Sequence, residues 1–312
     1  MERGNLTVVR EFVLLGLSIS PGQQRPLSVL FLCMYAVSTL GNSLVILATG
    51  CDSRLHLPMY FLLGNLSFAD VCFTSTVVPQ MVVNILTDTH TISFANCLTQ
   101  LFFFIAFVNM DSFLLCAMAY DRYAAICNPL RYTAVMSPRL CVRLVAVLWT
   151  VACLHALLHT ALMARLSFCA SNIIRHFFCD LSPLLQLSCS DVSLNIRVIF
   201  TVGGLLALTP LTCILLSYGL IVSTILKVTS AQGRQRAFST CGCHLSVVVL
   251  FYGTAIAVYF SPSSFRTPES DTLSAVMYTV VTPMLNPFIY TLRNRDMKRA
   301  LHKMLCRLPT FR

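Results

Sequence analysis

The sequence predicts an all-α membrane protein: a seven-transmembrane helix bundle followed by a short amphipathic C-terminal helix. Three observations predict it. The chain of 312 residues is 56% hydrophobic and only 11% charged, whereas a soluble domain carries about 25% charged residues. Residues 26–51, 144–164, 198–226, 237–265 and 272–292 contain no Asp, Glu, Lys or Arg, and 58–85 and 98–120 contain one acid each, Asp70 and Asp111. A spanning helix needs about 20 mostly apolar residues, so seven spans fit. The period-2 alternation of a membrane β-barrel is absent. The chain divides into an extracellular N-terminus (1–25), the bundle (26–292) and a cytoplasmic amphipathic tail (293–312).

Orientation follows from the loops. With the N-terminus outside, fifteen of the 22 Lys and Arg face the cytoplasm against three acids, Asp52, Asp121 and Asp296; outside, seven bases meet seven acids. The positive-inside rule therefore places the N-terminus out and the C-terminus in, at a plasma membrane with the basic face toward anionic lipid. The net charge of +10 thus needs no nucleic acid. The apolar run at 12–17 is too short for a signal-peptide core, so the first span serves as signal-anchor. Asn5-Leu6-Thr7 is a glycosylation acceptor on the outer side.

The spans in order carry few polar groups. The first holds Gly41-Asn42, whose amide must find another helix. Pro58 suits the opening turn of the second, which buries Asp70. The third passes Phe102-Phe103-Phe104 and then Asn109, Asp111 and Ser112. Asp70 and Asp111 are the acids at membrane depth, where an ionisable group is a functional candidate. Two readings stand. Each is a protonated packing group, or the two face each other and share a proton or a sodium ion, for which hard oxygens are suitable ligands. The fourth span holds Trp149, His155 and His159, read as core packing.

The loop that follows, to about Ile196, is long enough to cover an outer cavity. It carries Cys169, Cys179 and Cys189; with Cys97 these are the four outer cysteines among fifteen, and four allow three pairings. His176-x-x-Cys179 and Cys241-x-Cys243-His244 are weak metal signals without a fourth ligand. The seventh span ends Asn286-Pro287-Phe288-Ile289-Tyr290, where Pro287 removes a backbone donor and kinks the helix. The tail alternates basic and apolar residues, as a surface-lying helix does, and Cys306 is a candidate for acylation.

Asp121-Arg122-Tyr123 sits where the third apolar run meets water, and there Arg122 can snorkel or pair with Asp121. Seven spans with Asn42, Asp70, Cys97, Asp121-Arg122-Tyr123, Trp149 and Asn286-Pro287-x-x-Tyr290 resemble the rhodopsin-like G-protein-coupled receptors. The closer resemblance is to the olfactory receptors of the tetrapod-type class II. It rests on Leu55–Tyr60 (LHLPMY), Met118–Cys127 (MAYDRYAAIC), Arg236–Leu245 (RAFSTCGCHL) and Pro283–Tyr290 (PMLNPFIY), and covers nearly the whole chain. Departures are mild: Leu57 for the usual threonine, Ala124 for valine, and Gly242-Cys243 for alanine and serine.

The resemblance implies a receptor for small volatile, mostly apolar odorants, which activates a stimulatory olfactory-type heterotrimeric G protein and raises cyclic AMP. No enzyme activity and no cofactor other than a sodium ion at Asp70 and Asp111 is expected. The ligand would lie among Phe104, Ile105, Val108, Asn109, Ser112, Tyr259 and Thr279. The switch would comprise Asp121, Arg122, Tyr123, Tyr218, Tyr252, Asn286, Pro287 and Tyr290. Disulfides Cys97–Cys179 and Cys169–Cys189 are implied in the same way. A transporter would want a charged path through several spans. An amine receptor would be expected to show an acid where Phe104 stands, and a retinal protein needs a lysine in the seventh span, where there is none.

Overall fold

In a computed structural model, the structure describes residues 10–16, 21–87, 89–169, 171–259 and 268–307. Asn5 lies outside them, as does the side chain of Tyr259. Long helices follow the charge-poor stretches: α1 (Gln24–Cys51), α2 (Pro58–Thr87), α3 (Phe94–Cys127), α4 (Pro138–Ala164), α5 (Ser193–Leu226), α6 (Ala231–Tyr259) and α7 (Pro268–Val276, Met277–Val281 and Thr282–Arg293). Six are long and apolar enough to cross a membrane, and α6 adds the apolar stretch Cys241–Ala257. α8 (Arg295–Arg307) buries Met297 and Ala300 against the bundle and turns its charged face outward.

Helix starts obey local chemistry. Ser93 and Ser137 cap α3 and α4 by accepting from the backbone N–H of Asn96 and Leu140. Pro58 opens α2 and Pro138 opens α4, where a missing N–H costs nothing. α5 and α7 each contain a wider π turn, Ile199–Gly203 and Met277–Val281, a feature that locally rotates the side chains beyond it and frequently marks functional segments.

Packing centres on α3, which touches α2, α4, α5 and α6. In its most apolar stretch 78% of residues are buried, against 11% in α5, whose Leu205, Leu208, Leu215 and Leu216 face outward as lipid-facing side chains do. Small residues set the closest helix approaches. A Cβ on Gly41 would meet Pro287 Cγ at 3.0 Å, and one on Gly64 would meet Thr49 Oγ1 at 2.8 Å. Next to Gly41, the Asn42 amide donates to Ser38 C=O at 3.0 Å and across to Pro283 C=O at 3.1 Å, tying α1 to α7.

A three-stranded sheet on the outer side was not foreseen. β1 (Glu11–Leu14) pairs antiparallel with β2 (Thr91–Ser93), opposing Phe12 to Ile92, and parallel with β3 (Ile173–Ile174), opposing Val13 to Ile173. Phe12 and Leu14 point inward and are fully buried, and Phe12 meets Phe168 edge-on at 5.2 Å. Burying each is worth about 1.5–3 kcal/mol, enough to hold the N-terminal segment on the bundle.

Candidate ligand cavity and inner switch

The outer half of α3 presents Ile105, Val108, Asn109 and Ser112 at i, i+3, i+4 and i+7, one face of a helix. Beside them Phe104 is the hub of an aromatic cluster: its ring lies 5.4 Å from Phe73 on α2, 6.3 Å from Tyr278 on α7 and 4.8 Å from Phe178 in the loop after α4. Phe251 on α6 joins through Tyr278 at 5.7 Å.

The loop is pinned to α3 just above. Cys179 is disulfide-bonded to Cys97, with Cα atoms 5.5 Å apart. The Cys179 N–H donates to Gln100 Oε1 at 2.9 Å, while Gln100 Nε2 donates to Thr76 C=O on α2 at 3.0 Å. Cys169 is bonded to Cys189, closing the loop on itself across a Phe168–Ser188 bridge. His176 stacks on Phe177 and meets Phe178 edge-on, and this burial pushes its imidazole pKa down to about 4.

Polar groups on the α3 face are spoken for by neighbouring helices. Ser112 Oγ and Tyr252 OH on α6 share a hydrogen bond of 2.7 Å. Tyr252, implied by the resemblance to belong to the inner switch, thus pairs with the middle of α3; ten residues of helix, about 15 Å, separate Ser112 from Arg122. Thr279 is fully buried and donates to Ala275 C=O at 2.8 Å, so its hydroxyl serves the π turn of α7 and not an open wall. Asn109 Nδ2 reaches His155 Nδ1 at 3.1 Å, and His155 and His159 meet through their Nε2 atoms at 2.9 Å. These histidines are more than the generic packing the sequence suggested, because their H-x-x-x-H spacing puts both on the α4 face toward α3 and α5.

At the inner end, α3 continues through Asp121-Arg122-Tyr123, so these residues lie inside a helix and not beyond its end. Asp121 and Arg122 go separate ways. Asp121 Oδ1 accepts from Tyr132 OH at 2.8 Å, whereas the Arg122 guanidinium is directed at Met59 Sδ. The ion pairs among the described residues lie elsewhere, at Asp52–Arg54 and Asp296–Arg299. A thioether is a weak acceptor, so Arg122 is charged and poorly satisfied. Tyr123 turns its ring toward Tyr120 at 6.1 Å.

Two turns before Arg122 on α3, the Leu115 C=O faces His244 Nε2 at 3.0 Å, and the His244 Nδ1 faces Tyr218 OH at 2.7 Å. A carbonyl only accepts, so the ring proton is on Nε2, Nδ1 accepts, and Tyr218 donates. His244 is thereby a neutral clamp between α3, α5 and α6. Among the described residues no three His, Cys, Asp or Glu side chains are placed to share a metal, which leaves neither weak metal motif with a ligand set.

Between the two ends, Asn286 Nδ2 donates to both oxygens of Asp70, at 2.9 and 3.2 Å. Asp111 is an electrostatic neighbour of Asp70. Asp111 Oδ1, Asn42 Oδ1, Asn286 Oδ1 and Tyr290 OH are buried with no partner among the described residues. A carboxylate oxygen together with neutral amide and phenol oxygens is a hard-oxygen set that fits a small hydrated cation. A groove of about 440 Å³ opens at the inner ends of α1, α2 and α4, beside Thr49, His56, Phe61 and Pro138; it is on the outside of the bundle and away from this axis.

A family model described as "Olfactory receptor" matches residues 31–308. Human olfactory receptor 1C1 is 75% identical over 311 residues, covering 100% of this chain and 99% of that one. The chain belongs to the olfactory receptor family. Olfactory receptor 1F1 from human is 58% identical over 308 residues, and olfactory receptor 1f45 from Rattus norvegicus is 58% identical over 311, each across 99% of both chains. Squid rhodopsin superposes with a TM-score of 0.67 at 17% identity, covering 92% of this chain and 87% of its own, which shows the seven-helix fold. This odorant receptor is therefore a multi-pass membrane receptor of the G-protein-coupled kind and not an enzyme.

Proposed function

We propose that this receptor binds small, mostly apolar volatiles in the outer-half cavity beside α3 and couples to a stimulatory olfactory-type G protein, raising cyclic AMP. One observation carries the reading: α6 is tied to α3 at two depths, by Ser112–Tyr252 at the cavity floor and by Leu115–His244 near the switch. A ligand that disturbs the upper tie biases the lower one, because both lie on the same pair of helices. Release of the lower tie lets the inner end of α6 move outward and frees Arg122, held among the described residues by a thioether, to engage the G protein. Differential affinity for the two packings supplies the driving force.

Asp70 and Asp111 hold sodium in the resting state; the unpartnered oxygens around them support this. The N-terminus is extracellular, glycosylated at Asn5, and the basic C-terminal helix lies on the cytoplasmic leaflet. The test is a screen of volatiles against cyclic AMP in transfected cells. At least one compound should raise cyclic AMP, and Arg122→Ala should abolish that response at unchanged surface expression. An undiminished response in the variant, or silence across a broad panel, defeats the reading.

A further inference from the structure

Asn109 is half-buried on the face of α3 that also carries Ile105 and Ser112. Its Nδ2 lies 2.6 Å from Ile105 C=O and 3.1 Å from His155 Nδ1. Because a carbonyl oxygen only accepts, the atom against Ile105 must be the NH₂ group, and this fixes which way the amide faces. Both of its N–H bonds are then spent, one on Ile105 and one on His155. It follows that His155 Nδ1 is an acceptor and carries its proton on Nε2, which donates to His159 Nε2 at 2.9 Å. The relay has one direction, Asn109 to His155 to His159. It is seated against the π turn of α5: a Cβ on Gly203 would sit 3.8 and 3.9 Å from the two Nε2 atoms.

What remains of the amide is Oδ1. Among the described residues nothing donates to it, and Asn109 is half-buried where Asn42 and Asn286 are buried. We infer that Asn109 offers the cavity a fixed hydrogen-bond acceptor, oriented by His155, so that the receptor selects ligands that donate a hydrogen bond, alcohols and phenols, over ketones, aldehydes and ethers of the same skeleton. This rests on the outer cavity being the ligand site. A ketone oxygen placed there meets another acceptor and leaves Oδ1 unpaired, which is costly in a dry site. His155 is a positioning residue: it touches no ligand but decides which end of the amide the ligand sees.

The test compares alcohol, ketone and hydrocarbon on rigid skeletons, cyclohexanol with cyclohexanone and cyclohexane, the cyclooctyl set, and menthol with menthone and menthane. Cyclic AMP and surface expression are read in the same cells. Each activating alcohol should be about tenfold or more as potent as its ketone, the factor expected of one net hydrogen bond. His155→Phe frees the second N–H of Asn109 toward the cavity, so the ratio should collapse with a gain in the ketone response. His155→Gln, whose amide oxygen can still accept, should keep the ratio. A ketone equal to or better than its alcohol in the parent receptor overturns the inference whatever the variants do, as does an unchanged ratio in surface-expressed His155→Phe. Silence to every compound with receptor at the surface instead overturns the cavity reading, and this inference with it.

Discussion

The two halves of α3 are built on opposite terms. In the outer half almost every polar group is neutral and paired: Gln100 with the loop and α2, Asn109 with α4, Ser112 with α6. In the inner half Asp121 is paired with Tyr132 while the charged Arg122 is directed at a sulfur, and at the middle of the bundle Asp111 Oδ1 and, across on α7, Tyr290 OH have no partner among the described residues. A satisfied region is rigid and shape-selective. An unsatisfied one stores a demand for partners that a second packing, an ion or a G protein can meet. The proposed ligand end and the proposed switch end thus present different chemistry on one continuous helix.

Arg122→Ala should eliminate ligand-driven cyclic AMP at normal surface level; retention of more than a small fraction of the signal would mean that the inner half is not the coupling element. Cys97→Ser should cost about 2–5 kcal/mol and sharply reduce surface receptor, read by flow cytometry, because it unpins the loop that carries Phe178. Normal expression would show that the sheet and Gln100 hold the outer half without the disulfide.

His176 gives a pH test of the outer half. Its folded pKa of about 4 lies below the usual 6.5, so the unfolded chain binds the extra proton. Its contribution is full above pH 6.5 and is lost as pH falls toward 4, by at most about 3 kcal/mol. Thermal stability of purified receptor should decline across that window, and less steeply in His176→Phe; parallel profiles would remove His176 from the account. Tyr218→Phe strips the donor from His244 and should cost about 1–3 kcal/mol of the resting packing, seen as raised basal cyclic AMP. A lower basal level would mean that the bond belongs to the active packing. The smallest effect is expected from replacing Asp70 and Asp111 together by Asn: sodium should cease to modulate agonist binding, and a parent receptor insensitive to sodium would leave the orphaned oxygens without that role.

Much of this was legible in the chain. Seven spans could be counted because a bilayer excludes charge residue by residue, so each gap reports its own helix. Gly41-Asn42, Pro58 and Ser137-Pro138 reported local needs: close approach, a helix start, a cap. The inner motifs were legible as a resemblance, and Arg122 with them. The strand Glu11–Leu14 was not, since four residues with two buried side chains become a strand only when Thr91–Ser93 and Ile173–Ile174 arrive beside them. Nor was the destination of Arg122. Sequence adjacency suggested Asp121, but consecutive residues on a helix point about 100° apart, and Asp121 went to Tyr132 while Arg122 went to Met59.

Local composition alone dictates where the chain crosses the membrane and which few polar groups it carries into it. What those groups do depends on how the helices pack. Asn109, His155 and His159 are separated by up to 50 residues. The facing of the amide is set one turn back on the same helix, by the Ile105 carbonyl, but that His155 and His159 stand beside it comes from the packing of α4 on α3, whose register the chain settles only when folded.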